Sequence, residues 1–153
     1  MHYVTDSLLL GNAEDANNPP PFVNGLLSVA SELVIQPPSH LLYAHVPLQE
    51  FARVDPQDLK RGIDWLERHA RSNRIMVCCR AGMGRSASMV IAYLCCVEAM
   101  TYREAVRLVK ARRPGATPLP DLEWTIELVR ELRAEPPDPS LKPHAGASPS
   151  DGG

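Results

Sequence analysis

The chain has 153 residues, 44% of them hydrophobic, and a formal net charge of -2 from 16 Lys and Arg against 18 Asp and Glu. That size accommodates one globular domain with a real core and not two comfortable ones. The charge balance excludes the global basic excess of nucleic-acid and polybasic membrane binders, and no apolar run approaches the roughly 20 residues that span a bilayer.

The opening "MHYVTDSLLLGN" reads as two short strands joined at Asp6 and Ser7, with Gly11 and Asn12 ending the second. "AEDANN" is a brief helical turn, broken by Pro19, Pro20 and Pro21. "GLLSVAS" follows as a buried strand, a short apolar run entered from Asn24 and Gly25. Pro37 and Pro38 punctuate before the next strand, "LLYAHVPL".

The clearest amphipathic helix runs from Pro56 to about Arg71, because Leu59, Gly62, Ile63 and Leu66 share one face. Asp55 is a good N-cap, Pro56 suits the first helical position, and Asp58 favours the first turn. "RIMVC" is a buried strand, and "SASMVIAYLCCV" is apolar nearly all round, as a helix through the middle of a domain is. Thr101 and Glu104 form a capping box for a further helix with Tyr102, Ala105, Val106 and Val109 on its apolar face. Arg113 and Pro114 close it, and a last helix runs from about Pro120 to Leu132.

From residue 134 the composition turns to Pro, Ser and Gly with almost no bulky apolar side chains, which predicts a disordered tail over 134–153 after a domain over 1–133. Strands alternating with helices predict an α/β fold: a mostly parallel sheet of about five strands with helices on both faces.

The chemistry concentrates in "CCRAGMGRS". It lies where a buried strand turns into a helix, the place where open α/β folds bind ligands. A loop from Arg80 to Arg85, through Ala81, Gly82, Met83 and Gly84, can curl its backbone N–H groups around one centre, with the positive end of a helix dipole behind them. Such a nest binds a phosphate-like dianion, and the same donors stabilise the thiolate of Cys79 as a nucleophile. Arg85 adds a planar fork that grips two phosphate oxygens. The plainer alternative is a buried cysteine and a surface arginine around an ordinary glycine turn.

Cys79, Gly82, Arg85 and Ser86 match the C-x-x-G-x-x-R-[ST] signature, and the chain resembles the cysteine-dependent protein phosphatases, the small dual-specificity enzymes above all. "LLLGNAEDA", "GLLSVASE", "HVPLQE" and "AYLCCVEAMTYREAVRLVKARRP" resemble successive segments of that family, so the similarity covers about Val4 to Leu132. It implies attack of Cys79 on phosphorus, a cysteinyl-phosphate intermediate and release by water, with the Ser86 hydroxyl assisting the sulfur's departure. It implies a phosphorylated protein as substrate: phosphotyrosine, and phosphoserine or phosphothreonine where the site is shallow. A monomer without cofactor or metal, nucleic acid or membrane partner is expected.

The family places an Asp as proton donor two residues after a Pro-hydrophobic pair. Here Pro47 and Leu48 form that pair, and the matching position is Glu50, with Asp55 and Asp121 as competitors. The residue before the nucleophile, usually His in the family, is Cys78; strand alternation turns its side chain away from the loop, as packing and not as a redox partner. Arg80 is expected near the pocket mouth, and Cys95, Cys96, Trp65 and Trp124 as packing. The five histidines show no ligand spacing. Adjacent cysteine pairs in place of a disulfide framework, and a start unlike a secretory signal, predict a cytoplasmic protein, the nucleus also being open. A phosphate-binding module without turnover and a sulfur-transfer or redox carrier are the competing readings.

Overall fold

A computed structural model describes residues 1–135 of the chain. Five strands form one sheet in the order β1-β2-β5-β3-β4: β1 (His2–Tyr3), β2 (Leu8–Gly11), β3 (Gly25–Ala30), β4 (Leu42–Leu48) and β5 (Ile75–Cys78). Only β1 runs antiparallel, against β2; β2 with β5, β5 with β3 and β3 with β4 are parallel pairs. The expected α/β class and strand number therefore hold.

The alternation of each strand decides what covers the sheet. Leu8, Leu10, Leu27, Val29, Ile75 and Val77 enter the main core, and Leu9, Leu26, Met76 and Cys78 enter a smaller one on the other face. Against the main core pack α2 (Pro56–His69), α3 (Arg85–Cys96), α4 (Tyr102–Arg112) and α5 (Leu122–Ala134). The opposite face carries only the short α1 (Ala13–Asn17) and irregular segments around Val23 and Ile35. Helices thus stand on both faces, unequally.

Helix α3 is buried from Arg85 to Cys95, as its all-round apolar sequence requires. Gly62 on α2 faces it with no side chain, and a Cβ there would come within 2.3 Å of Met89 Cε, so the bare backbone lets the two helices meet. Leu59, Ile63 and Leu66 of α2 are fully buried, each contributing about 1.5–3 kcal/mol by transfer from water.

The caps read from sequence are present. Asp55 accepts from Gln57 N–H at 2.8 Å, and Thr101 and Glu104 exchange both bonds of a capping box. Helix α5 begins at Leu122 and not at Pro120: Pro118 and Pro120 stand in an irregular segment, and Asp121 has a left-handed φ of 55°. At the other end α5 reaches Ala134, one residue past the expected domain boundary. Most of the expected tail, residues 136–153, lies outside the described residues.

Candidate active site

Strand β5 ends between β2 and β3, the crevice at which the chain reverses direction across the sheet. Its alternation sends Cys79 toward the helices and Cys78 toward α1. Cys78 is fully buried and its S–H donates to the Leu27 carbonyl at 3.6 Å. Burial pushes this thiol up to about 12, so it stays protonated. Packing is its structural role, as the alternation predicts.

The loop after Cys79 is tied on both sides. The turn from β2 into α1 backs it: Cys79 N–H donates to the Gly11 carbonyl at 3.4 Å, and Ala13 N–H to the Arg80 carbonyl at 3.1 Å. Gly82 is pressed against that turn with φ of 73°, and a Cβ on it would sit 2.9 Å from the Gly11 oxygen. From the segment before α5, Thr117 N–H donates to the Met83 carbonyl at 2.9 Å, while the Arg113 guanidinium donates to the Ala81 carbonyl at 3.4 Å. Buried Ser88 holds that segment in turn, accepting from Leu119 N–H at 2.9 Å.

With its carbonyls tied, the loop keeps its donors. Gly82 N–H points to Cys79 Sγ at 3.2 Å. Among the described residues, the N–H groups of Arg80, Ala81, Met83, Gly84 and Arg85 have no partner. Ser86 Oγ lies 3.3 Å from the same sulfur. In that contact the Cys79 thiol is the donor to Ser86 Oγ, while the Gly82 N–H is directed at the sulfur, and the loop N–H groups left without partners are the kind of donors that bind an anion.

Arg85 opens α3 and its side chain is 2% exposed. Its guanidinium does not stand free. Nη1 and Nη2 each donate to one oxygen of Glu32 at 2.7 Å, and Nη1 also reaches the Leu48 carbonyl at 3.3 Å. The hydrogen bond from Arg85 holds the Glu32 carboxyl down to about 2, and the same bond pushes Arg85 further up. Sequence reasoning passes over Glu32. Its only signal is a lone carboxylate just past the carboxyl end of a buried strand, where ligand-site residues gather.

A cleft of about 410 Å³ opens over Cys79 and Arg85, walled by Glu50, Phe51, Met83 and Leu119 among others. Of the carboxylates weighed as proton donors, Glu50 alone lines it. Asp55 is engaged as the N-cap of α2, and Asp121 accepts both Arg53 Nε at 3.1 Å and Nη2 at 2.6 Å. Arg80, expected near the pocket mouth, is exposed and is not among the residues that line the cleft.

Cys95 sits at the far end of α3, its thiol pushed up to about 11 by burial. Trp65 packs on His69 with ring centroids 4.7 Å apart, at the edge of the core. Trp124 departs from the packing expected of it. It is 52% exposed and carries the Arg53 guanidinium 4.9 Å from its ring centroid.

Residues 22–130 match the family described as "Dual specificity phosphatase, catalytic domain". The chain is 32% identical over 102 residues to human "Dual specificity protein phosphatase 8", an alignment covering 61% of this chain and 16% of that protein. It is 29% identical over 143 residues to "Dual specificity protein phosphatase 1" of Arabidopsis thaliana, covering 82% of this chain and 70% of that one. The solved structure of human DUSP28 superposes with a TM-score of 0.76 at 23% identity, covering 87% of this chain and 97% of that one. The human phosphatase 8 is thus a far longer protein, of which this chain spans a small share.

Proposed function

Because the chain belongs to the dual specificity phosphatase catalytic-domain family, we propose that it is an active protein phosphatase that uses Cys79 as its nucleophile. The observation that carries this reading is the convergence of the Gly82 N–H at 3.2 Å and Ser86 Oγ at 3.3 Å on Cys79 Sγ, at the base of a cleft shared with Arg85 and Glu50.

The Cys79 thiolate attacks phosphorus in line with the ester oxygen, the P–O bond breaks as the S–P bond forms, and Glu50 delivers a proton to the departing oxygen. The unpartnered loop N–H groups and Arg85 hold the equatorial oxygens as charge redistributes. A water then attacks the cysteinyl phosphate and gives its proton to the Glu50 carboxylate. The Ser86 hydroxyl donates to the departing sulfur, and inorganic phosphate leaves.

The substrate of this reading is a phosphorylated protein, phosphotyrosine first and phosphoserine or phosphothreonine as accessible, acted on in the cytoplasm by a monomer. Among the described residues no helix is long and apolar enough to cross a membrane. The cleft lining supports monophosphate substrates, since Arg85 is its only cation.

The test is hydrolysis of para-nitrophenyl phosphate by the wild-type chain, Cys79→Ser and Arg85→Ala, with and without vanadate. Turnover that vanadate inhibits and both substitutions abolish is the expected result. A folded, reduced wild-type chain that binds vanadate without turnover would return the protein to the reading of a phosphate-binding module.

A further inference from the structure

Helix α4 carries charge that neither the core nor the chemistry of the cleft uses. Its inner face, Ala105 and Val109 with Tyr102 and Val106 beside them, packs on the main core. Arg103, Arg107 and Lys110 recur at i, i+4 and i+7, so they share the outer face, and all three are exposed. The helix's one carboxylate, Glu104, is turned back to accept from Thr101 N–H at 2.9 Å.

The neighbouring helices pair most of their cations. On α2, Lys60 meets Asp64 and Arg61 meets Asp58; on α5, Arg130 meets Glu127, and Arg133 meets Asp64 and Glu67 of α2. Among the described residues, Arg103, Arg107 and Lys110 enter no ion pair. The stripe also costs the isolated domain. Arg103 stands in the first turn, at the positive end of the helix dipole, and Arg107 follows at i+4, where like charges repel. The dipole accounts for Lys110 and Arg112 in the last turn and for neither of the other two. A row of unopposed cations is complementary to a row of carboxylates.

Position decides whose carboxylates these are. Helix α4 ends at Arg113, whose guanidinium donates to the Ala81 carbonyl in the loop after Cys79, so the stripe stops about one turn short of that loop. A polypeptide that places its phosphoryl group at Cys79 brings its own flanking residues to α4. An anionic bilayer fits less well. The chain has a net charge of -2, and none of the exposed large apolar side chains, which would insert between lipids, lies on α4.

We propose that the outer face of α4, through Arg103, Arg107 and Lys110, is a docking surface for an acidic segment of the phosphoprotein substrate, a few residues removed from the phosphorylated residue. The proposal rests on the phosphatase reading above and deepens it by naming the substrate class. The surface steers the encounter and holds the flank, and the chemistry at Cys79 does not depend on it.

A phosphotyrosine peptide tests it in three versions. Two carry a short run of glutamates beginning about five residues, roughly 16 Å of extended chain, before or after the phosphotyrosine; the third has glutamines in their place. The wild-type chain is compared with one carrying Arg103→Gln, Arg107→Gln and Lys110→Gln together. Wild type is expected to favour at least one glutamate peptide about tenfold in kcat/KM, the combined scale of three exposed ion pairs, through KM and more strongly at low salt. The triple variant loses that preference, while its turnover of the glutamine peptide and of para-nitrophenyl phosphate stays at the wild-type level. Changing the same three residues to Glu transfers the preference to a lysine-flanked peptide.

No preference in wild type, a preference that survives the triple substitution, or equal losses on every substrate would overturn the docking surface and leave cysteine phosphatase activity standing. Stripe-dependent binding to vesicles of anionic phospholipid, without a peptide preference, overturns it also and assigns the stripe to a membrane. Affinities of the Cys79→Ser chain for the same peptides keep the two readings apart. Acid-dependent binding that the triple substitution removes, with no turnover by wild type, overturns the phosphatase reading and supports the docking surface. Absence of both binding and turnover overturns the two together.

Discussion

The Arg85 guanidinium and the Glu32 carboxylate meet fork to fork, with both N–O distances at 2.7 Å, the arginine buried and the glutamate 41% exposed. The pair fixes Arg85 in a plane beside Cys79 before any phosphate arrives. Glu32 is thereby a positioning residue. Glu32→Gln is expected to destabilise the fold by about 1 kcal/mol, a figure discounted for the solvent that reaches the carboxylate. Denaturant melts in phosphate check the role: a guanidinium no longer held in place binds the anion more weakly, so the deficit grows with added phosphate, whereas a purely structural role leaves it constant.

The same pair shapes the acid limb of stability. The Glu32 carboxyl is held at about 2 in the folded chain, below the ordinary carboxylate range. A depressed folded value adds stability that is complete above the ordinary carboxylate pKa and is lost as pH falls toward 2. Wild type is expected to lose stability over that window more steeply than Glu32→Gln, and unfolding midpoints measured from pH 5 to pH 2 test it.

Much of this architecture is legible from the chain alone, for identifiable reasons. Short apolar runs set off by turn residues mark the buried strands, and Asp55 and Thr101 announce the starts of α2 and α4 through their cap bonds. Cys79, Ser86 and Arg85 fall within a few residues of one another, so a local motif brings them together. Glu32 does not. It meets Arg85 across a separation of 53 positions, and only the sheet order, which seats β5 beside β3, makes them neighbours. The role of Trp124 depends likewise on Arg53 arriving from a different loop. The start of α5 was displaced by proline chemistry at Pro118 and Pro120 that periodicity does not register.

Cys78 has its thiol fully buried and raised to about 12. A raised folded value adds stability below the ordinary thiol pKa and is lost as pH rises toward 12. Cys78→Ala is expected to cost about 1 kcal/mol by lost packing, to keep its phosphatase activity, and to show a shallower alkaline decline. Iodoacetamide at neutral pH checks the contrast in reactivity, with label expected on Cys79 and absent from Cys78.

Gly82 tests the loop. Alanine there adopts a left-handed φ of 73° and drives a Cβ to 2.9 Å from the Gly11 oxygen, so the loop must move. Gly82→Ala is expected to lose about 1–2 kcal/mol of stability. Because Gly82 N–H is the donor on Cys79 Sγ, vanadate affinity falls in the same variant; an unchanged affinity in a folded Gly82→Ala chain contradicts the nest.

Glu50→Gln separates the proton donor from its competitors. Hydrolysis of para-nitrophenyl phosphate, whose leaving group needs little help, is expected to survive, while phenyl phosphate turnover falls about 10²-fold or more. Asp121→Asn is expected to spare both, since that carboxylate is bound by Arg53.

The most direct test of the account is the covalent intermediate itself. Wild-type chain is mixed with para-nitrophenyl phosphate, quenched in acid within the first turnover, digested, and its cysteine peptides are examined by mass spectrometry. One phosphoryl group on Cys79, absent from Cys79→Ser, is the predicted result. Steady turnover with no phosphoryl group on Cys79 at any quench time would contradict the account.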